Sequence, residues 1–212
     1  MLVGWFILVV FIGYFVGAIP FGLIISRLRS GIDIRDYGSG KTGIANVTRT
    51  TGKTAGAIVF VLDIGKGAVV SVIARSIINA SSPTEYAAMG AAVIAATIGH
   101  CWPIYTKFRG GRGVSVFMGG LLATYWPVGL ACDFIFWVVL YITKYFSVAS
   151  MVSVSLSIWI SIPLVFLIDL PIEILIFSVA GTLLILFKHR DNIRRLIEGK
   201  ERRIGQKADS VD

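Results

Sequence analysis

Long apolar runs constrain this chain more than any motif in it. They lie at roughly 2–26, 55–75, 86–101, 114–126, 128–143, 148–168 and 172–187, separated by short polar or turn segments. A helix crosses the hydrocarbon core with about 20 mainly apolar residues. A chain of 212 residues built this way holds several spans and little else. Composition agrees: 56% of residues are hydrophobic, 15% are charged and the mean hydropathy is +0.81, well outside the range of soluble domains. The expected fold is an all-α integral membrane protein with about seven transmembrane helices, five being the alternative, in a single domain spanning 1–212. The stretch from Leu2 to Ser26 is too long for a signal peptide and has no cation before Arg27, so it is read as a retained anchor.

Cations set the orientation. They cluster in the loop 27–53, the loop 102–113, at Lys144 and in the tail from Lys188 to Lys207, so that only Lys66 and Arg75 of the 20 basic residues fall elsewhere. With either span count these four segments share one side. The positive-inside rule then places the N-terminus outside and the C-terminus in the cytoplasm. The same rule accounts for the net charge of +8 without a nucleic-acid partner. Two cysteines, Cys101 and Cys132, both in or beside apolar runs, make neither a disulfide framework nor a metal cage, and no metal or other cofactor is expected. Within the spans, Asp63 and Lys66 stand three apart and share a helix face. An intramembrane charge is either functional or a local pair that fixes packing.

Three polar segments carry chemistry. In the first, Gly38-Ser39-Gly40-Lys41-Thr42-Gly43, the Gly-Lys-Thr string is no nucleotide-binding phosphate loop, because Arg35 stands where that motif needs its first glycine. Its glycines still allow backbone N–H groups to converge on an anion. A helix starting near Ile44 puts Asn46 and Arg49 on one face, with Arg49 able to fork a phosphate. The second segment, Gly99-His100 through Lys107, Arg109, Gly110, Gly111, Arg112 and Gly113, interleaves cations with glycines before a new span, a pattern suited to phosphate at a helix start. In the third, His189 and Asn192 are expected to face the bundle, beside an apolar stripe of Ile193, Leu196 and Ile197 on an interfacial helix. The bland alternatives are flexible basic loops and a lipid-facing tail. A His-x4-Asp general base is missing, since Tyr105 and Arg194 stand at that distance from the two histidines.

Taken in order, Gly38-Ser39-Gly40-x-x-Gly43-x-x-Asn46-x-x-Arg49, Asp63-x-x-Lys66-Gly67, Gly99-His100-x-x-Pro103, Phe108-x-Gly110-Gly111-x-Gly113 and His189-x-x-Asn192-Ile193 resemble the bacterial acyl-phosphate:glycerol-3-phosphate acyltransferases, the PlsY family. The resemblance covers nearly the whole chain. It implies a seven-helix enzyme of the bacterial cytoplasmic (inner) membrane, with its site on the cytoplasmic side. The implied reaction passes a fatty acyl group from a long-chain acyl phosphate to the 1-hydroxyl of glycerol 3-phosphate, giving 1-acylglycerol 3-phosphate and phosphate. By the same resemblance Ser39, His189 and Asn192 are the catalytic candidates. Arg49, Asn46, Gly40, Gly43, Lys107, Arg109, Gly110, Gly111, Arg112 and Gly113 are the substrate-binding candidates. Lys41, Arg109 and Arg112 depart from the family's usual Asn and lysines.

The rival reading is a small phosphate-ester or anion transporter, which needs polar or broken helices near the bilayer midplane. Apart from Asp63, Lys66 and Asp133 the spans supply none. Besides the two substrates and membrane lipids the sequence points to no partner, and it sets neither acyl-chain preference nor oligomeric state.

Overall fold

A computed structural model describes residues 2–79 and 82–206; the tail cation Lys207 lies outside them. The described residues form ten α-helices, two short 3₁₀ turns and no β-strand. The first apolar run is not one straight helix. Helix α1 (Leu2–Gly17) and helix α2 (Phe21–Ser30) are separated at Pro20, which has no N–H to continue a helix. A short helix α3 (Ile44–Thr50) precedes α4 (Lys53–Ile78), whose 26 residues span about 39 Å at 1.5 Å each. Helix α5 (Ser82–Cys101), α6 (Val114–Thr124), α7 (Trp126–Thr143), α8 (Phe146–Leu167) and α9 (Ile172–Lys188) follow, and α10 (Arg190–Ile197) closes the series.

Every apolar run becomes helical, but not every one is long enough to cross a membrane. Five stretches pass on length and apolarity, with Leu2–Ser30 taken as one, and a sixth is the pair α9 and α10, bent by 58° at His189. Helix α6 has 11 residues and reaches about 16 Å, roughly half of a hydrocarbon core. The expected count of about seven therefore rests on including this short helix.

The Ala- and Gly-rich α5 is the central helix, packed against α1, α4, α6 and α9. Small residues permit the contact: a Cβ on Gly17 would strike the Ala96 backbone, and one on Gly67 would strike Val116. Apolar lipid provides no hydrophobic drive between helices, so such close backbone approach is what binds the bundle.

The cationic segments meet at one end of the bundle. Arg35 Nη1 donates to the Thr106 carbonyl at 3.4 Å, and Arg49 Nη2 to that of Arg202 at 3.0 Å. Lys188 Nζ reaches the Cys101 carbonyl at 3.5 Å, and the Ile204 N–H donates to Lys144 O at 2.8 Å. Loops far apart in sequence thus form one surface, and the polar cleft opens there.

Candidate active site

The glycine-serine loop is organised by Asn46, on the first turn of α3. Its Nδ2 lies 3.1, 2.9 and 3.0 Å from the carbonyls of Ile34, Tyr37 and Lys41, and its Oδ1 accepts from the Ser39 N–H at 3.1 Å. An amide has two donor hydrogens and one carbonyl, so this side chain, 2% exposed, is spent on the loop. Asn46 positions the loop rather than facing the cleft with a free amide. Two of the loop's N–H groups are used within it. The Ser39 N–H is taken by Asn46 and the Gly40 N–H donates to Tyr37 O at 3.0 Å. Ser39, Lys41 and Gly43 of this loop line the cleft.

The second loop is shaped by His100. Gly111 N–H donates to the His100 carbonyl at 3.0 Å. A Cβ on Gly111 would run into the His100 ring, and one on Gly110 into the His100 carbonyl. These glycines allow backbone to press on a buried histidine. Gly113 has φ +84°, a conformation that favours glycine, and it turns the chain into α6. The result is that Arg112 alone of this loop's cations points inward. Lys107 and Arg109 are exposed and line neither part of the cleft.

The third segment owes its geometry to the bend between α9 and α10. His189, at the bend, is 1% exposed and Asn192 is 2% exposed. The apolar stripe does not turn them inward, because Ile193 and Ile197 are themselves exposed, by 37% and 82%. A carboxylate that the sequence reading missed does the fixing. Glu201 accepts from Asn192 Nδ2 at 2.7 Å, Ser147 Oγ at 2.8 Å and Arg195 Nε at 2.8 Å. Burial acts to raise this carboxyl, but the three hydrogen bonds outweigh it and hold it below the usual range. His189 places Nδ1 2.8 Å from the Ile185 carbonyl. A carbonyl only accepts, so Nδ1 carries the proton and Nε2 keeps its lone pair. Burial first, then the Arg112 charge, pushes the imidazole down to about 4. The ring is neutral at physiological pH.

These three segments enclose one cleft in two adjoining parts. The first is lined by Ser39, Lys41, Asn46, Arg112, Gly113 and His189, closed by Asp63 and His100, and walled by the apolar Ile44, Val114, Phe136 and Phe146. The second shares Ser39, Ala45, Arg112, Phe146 and Ser147 with it and adds Arg49, Asn192, Arg195, Glu201 and Arg202. Of the site residues expected from the sequence, Ser39, Gly43, Asn46, Arg49, Arg112, Gly113, His189 and Asn192 line the cleft, while Gly40, Lys107, Arg109, Gly110 and Gly111 do not. Arg112 is partly exposed as a residue, yet its Nε is fully enclosed without a hydrogen-bond partner among the described residues, as is that of Arg49. Burial pushes Arg112 down to about 10, with Arg195 and Arg49 adding like charge against the pull of Glu201 and Asp191. It remains a cation at neutral pH. Two enclosed guanidinium groups with unused donors are arranged for an anion.

The glycerol-3-phosphate acyltransferase family profile matches residues 7–199. The chain belongs to this family. A glycerol-3-phosphate acyltransferase of Dehalococcoides mccartyi is 38% identical across 98% of this chain and the whole of that protein. One of Rubrobacter xylanophilus is 38% identical across 94% of this chain and 95% of its own length. The crystal structure of PlsY, an integral membrane glycerol 3-phosphate acyltransferase in its glycerol 3-phosphate form, superposes with TM-score 0.83 at 32% identity, covering 94% of this chain and 96% of that one. The lysophosphatidic acid form of PlsY superposes with TM-score 0.79. This family member is accordingly a membrane acyltransferase, and the transporter reading falls away.

Glu201 and Ser147 escaped the sequence reading for a physical reason. Both reach the cleft from beyond a helix bend or from the first turn of a span, where no periodicity marks an inward face. The usable signal for Glu201 was its position among Lys200, Arg202 and Arg203, a lone carboxylate inside a basic run.

Proposed function

We propose that this enzyme transfers a long-chain acyl group from acyl phosphate to the 1-hydroxyl of glycerol 3-phosphate, on the cytoplasmic side of a bacterial inner membrane that it crosses seven times, N-terminus outside. The observation that carries the reading is the pairing, in one cleft, of two arginines whose enclosed Nε atoms have no partner among the described residues with a neutral histidine and an apolar wall. Both substrates carry phosphate, which Arg49 and Arg112 are suited to hold. Phe136 and Phe146 suit an acyl chain leaving toward lipid. The 1-hydroxyl oxygen forms a bond to the acyl carbonyl carbon, and the bond from that carbon to the phosphate oxygen breaks. The departing phosphate takes the hydroxyl proton.

In the bound substrate His189 accepts the hydroxyl hydrogen bond at Nε2 and aligns the attack, with Ser39 and Asn192 beside it; as the new bond forms, that hydrogen leaves Nε2 for the departing phosphate oxygen. Acyl phosphate is an activated mixed anhydride, so positioning supplies much of the rate. Charge stabilisation at the leaving phosphate by Arg112 supplies most of the rest. The concentration of cations at one end of the bundle supports the cytoplasmic assignment.

The test is acyl transfer to labelled glycerol 3-phosphate by the purified protein, with palmitoyl phosphate, palmitoyl-CoA and palmitoyl carrier protein offered separately. Product from acyl phosphate alone is expected. Product from a thioester alone would overturn the donor and the role of the leaving phosphate. His189→Ala is expected to lower kcat, and an unchanged kcat with raised KM would confine His189 to binding.

A further inference from the structure

The pair Asp63 and Lys66 has no part in the mechanism above, yet it sits at the wall of the cleft. The two are joined at 2.8 Å. Lys66 Nζ also lies 2.9 Å from His100 Nδ1 and 3.0 Å from the carbonyl of Ile19, at the break between α1 and α2. An ammonium only donates; its hydrogen bonds go to His100 Nδ1 and the Ile19 carbonyl, while Asp63 Oδ1 is held at ion-pair distance. Two consequences follow from the geometry. His100 Nδ1 must be an acceptor, which places the ring proton on Nε2 as a fixed donor. Asp63 is held by charge through Oδ1, which is enclosed and has no hydrogen-bond partner among the described residues.

Asp63, Lys66 and His100 are 2%, 4% and 7% exposed, and of the three only Asp63 and His100 line the cleft. An ion pair serving packing alone has no need to open onto a substrate site. A carboxylate at a cleft wall repels phosphate, so this corner is unsuited to the anionic end of either substrate. A carboxylate oxygen without a hydrogen-bond partner at the cleft wall is complementary to a hydroxyl, which can donate to it.

We propose that Asp63, Lys66 and His100 form a hydroxyl-recognition subsite in which Asp63 accepts a hydrogen bond from the 2-hydroxyl of glycerol 3-phosphate. Asp63 is thereby a specificity-determining residue for the acceptor substrate. The inference rests on the acyl-transfer reading above. It orients the acceptor as well. With the phosphate on the arginines and the 2-hydroxyl on Asp63, the molecule is held at two points and the 1-hydroxyl is left for His189.

The experiment compares glycerol 3-phosphate with 3-hydroxypropyl phosphate, which keeps the phosphate and the primary hydroxyl and lacks the secondary one. Buried groups built to bind a hydroxyl reject the analogue without it, so wild-type kcat/KM is expected to favour glycerol 3-phosphate by at least about 100-fold. In Asp63→Asn, Lys66 draws the amide oxygen and the NH2 group replaces the free acceptor at the cleft. The preference is expected to fall below about 10-fold. Equal use of both acceptors by the wild type would overturn the inference and leave the acyl-transfer reading standing. An unchanged preference in Asp63→Asn, with both rates lowered together, would also overturn it, because a packing defect does not choose between acceptors. Transfer to neither acceptor by folded wild-type protein would overturn the acyl-transfer reading and this inference with it. Should Asp63→Asn fail to fold, the wild-type preference decides by itself.

Discussion

Replacing Asn46 with alanine tests whether the glycine-serine loop is held by one side chain. Asn46 supplies two donor hydrogens to the carbonyls of Ile34, Tyr37 and Lys41, and one acceptor to the Ser39 N–H. Each net hydrogen bond contributes about 1 kcal/mol, so three amount to about 3 kcal/mol. Every 1.4 kcal/mol is a factor of ten, and the ordered loop becomes about 100-fold less favoured. Because Ser39 and Lys41 face the cleft from this loop, kcat/KM for glycerol 3-phosphate should fall by about the same factor. Hydrogen exchange read by mass spectrometry should show protection lost at residues 37–43 and kept in α4 to α6.

Asn46→Asp sharpens the test. Its carboxylate still accepts from Ser39 but turns oxygen toward three carbonyls, so it should be at least as damaging as alanine. The reasoning fails if Asn46→Ala keeps kcat/KM within about threefold of wild type. It fails equally if protection is lost throughout α4 to α6, which would make Asn46 a general packing residue.

Gly111→Ala should drive a methyl group into the His100 ring, which Lys66 holds in place. A loss of about 1–3 kcal/mol in stability with a fall in kcat/KM is expected, and a well-tolerated alanine would show that the loop can shift. His189 is neutral in both folded and unfolded chains above pH 6.5, whereas between 6.5 and about 4 only the unfolded chain takes its proton. The folded state therefore loses stability as pH falls through that window, by roughly 3 kcal/mol in full, and His189→Gln should flatten that part of the Tm-against-pH curve in detergent. An identical curve in the variant would refute the assignment. If Glu201 acts by aiming Asn192, then Glu201→Ala and Asn192→Ala should overlap by at least about 1 kcal/mol when combined, measured on kcat/KM; strict additivity would show two independent roles.

Legibility from sequence followed the physics of each signal. The apolar runs declared their helices because lipid demands it, and the proline at position 20 marks the one break the run-by-run count passed over. The pairing of Asp63 with Lys66 came from helical spacing, and the structure has it, along with a helix starting at Ile44 as the placement of Asn46 and Arg49 supposed. Glycine is a signal with more than one meaning. At positions 110 and 111 it answers the close approach of the His100 ring and carbonyl, a long-range contact that leaves no local trace. The pattern alone pointed instead to phosphate. Charge is ambiguous in the same way, since Lys107 and Arg109 look equivalent to Arg112 in the sequence and in the structure only Arg112 lines the cleft. Glu201 gave no periodic signal because it lies past the end of α10.

The position of the cleft follows from what backbone can do near lipid. Non-helical chain inside hydrocarbon leaves N–H and C=O groups unpaired, which is tolerated only where protein or water covers them. The loops 31–43 and 102–113 are therefore confined to the end of the bundle, and so are the side chains they carry. Helices alone can carry the site deeper. Asp63 lies ten residues into α4, about 15 Å along it, and still reaches the cleft because α1 breaks at Pro20 and frees the Ile19 carbonyl to complete the shell of Lys66. Without that carbonyl the ammonium would hold one unused hydrogen in a buried place, at a cost of about 1–3 kcal/mol or more for a charged group. The helix break and the buried charge are then two parts of one device, which allows a polar wall to extend from the water-facing loops into the bundle beside an apolar one. That juxtaposition is what a reaction between a water-soluble phosphate ester and a lipid-tailed donor requires.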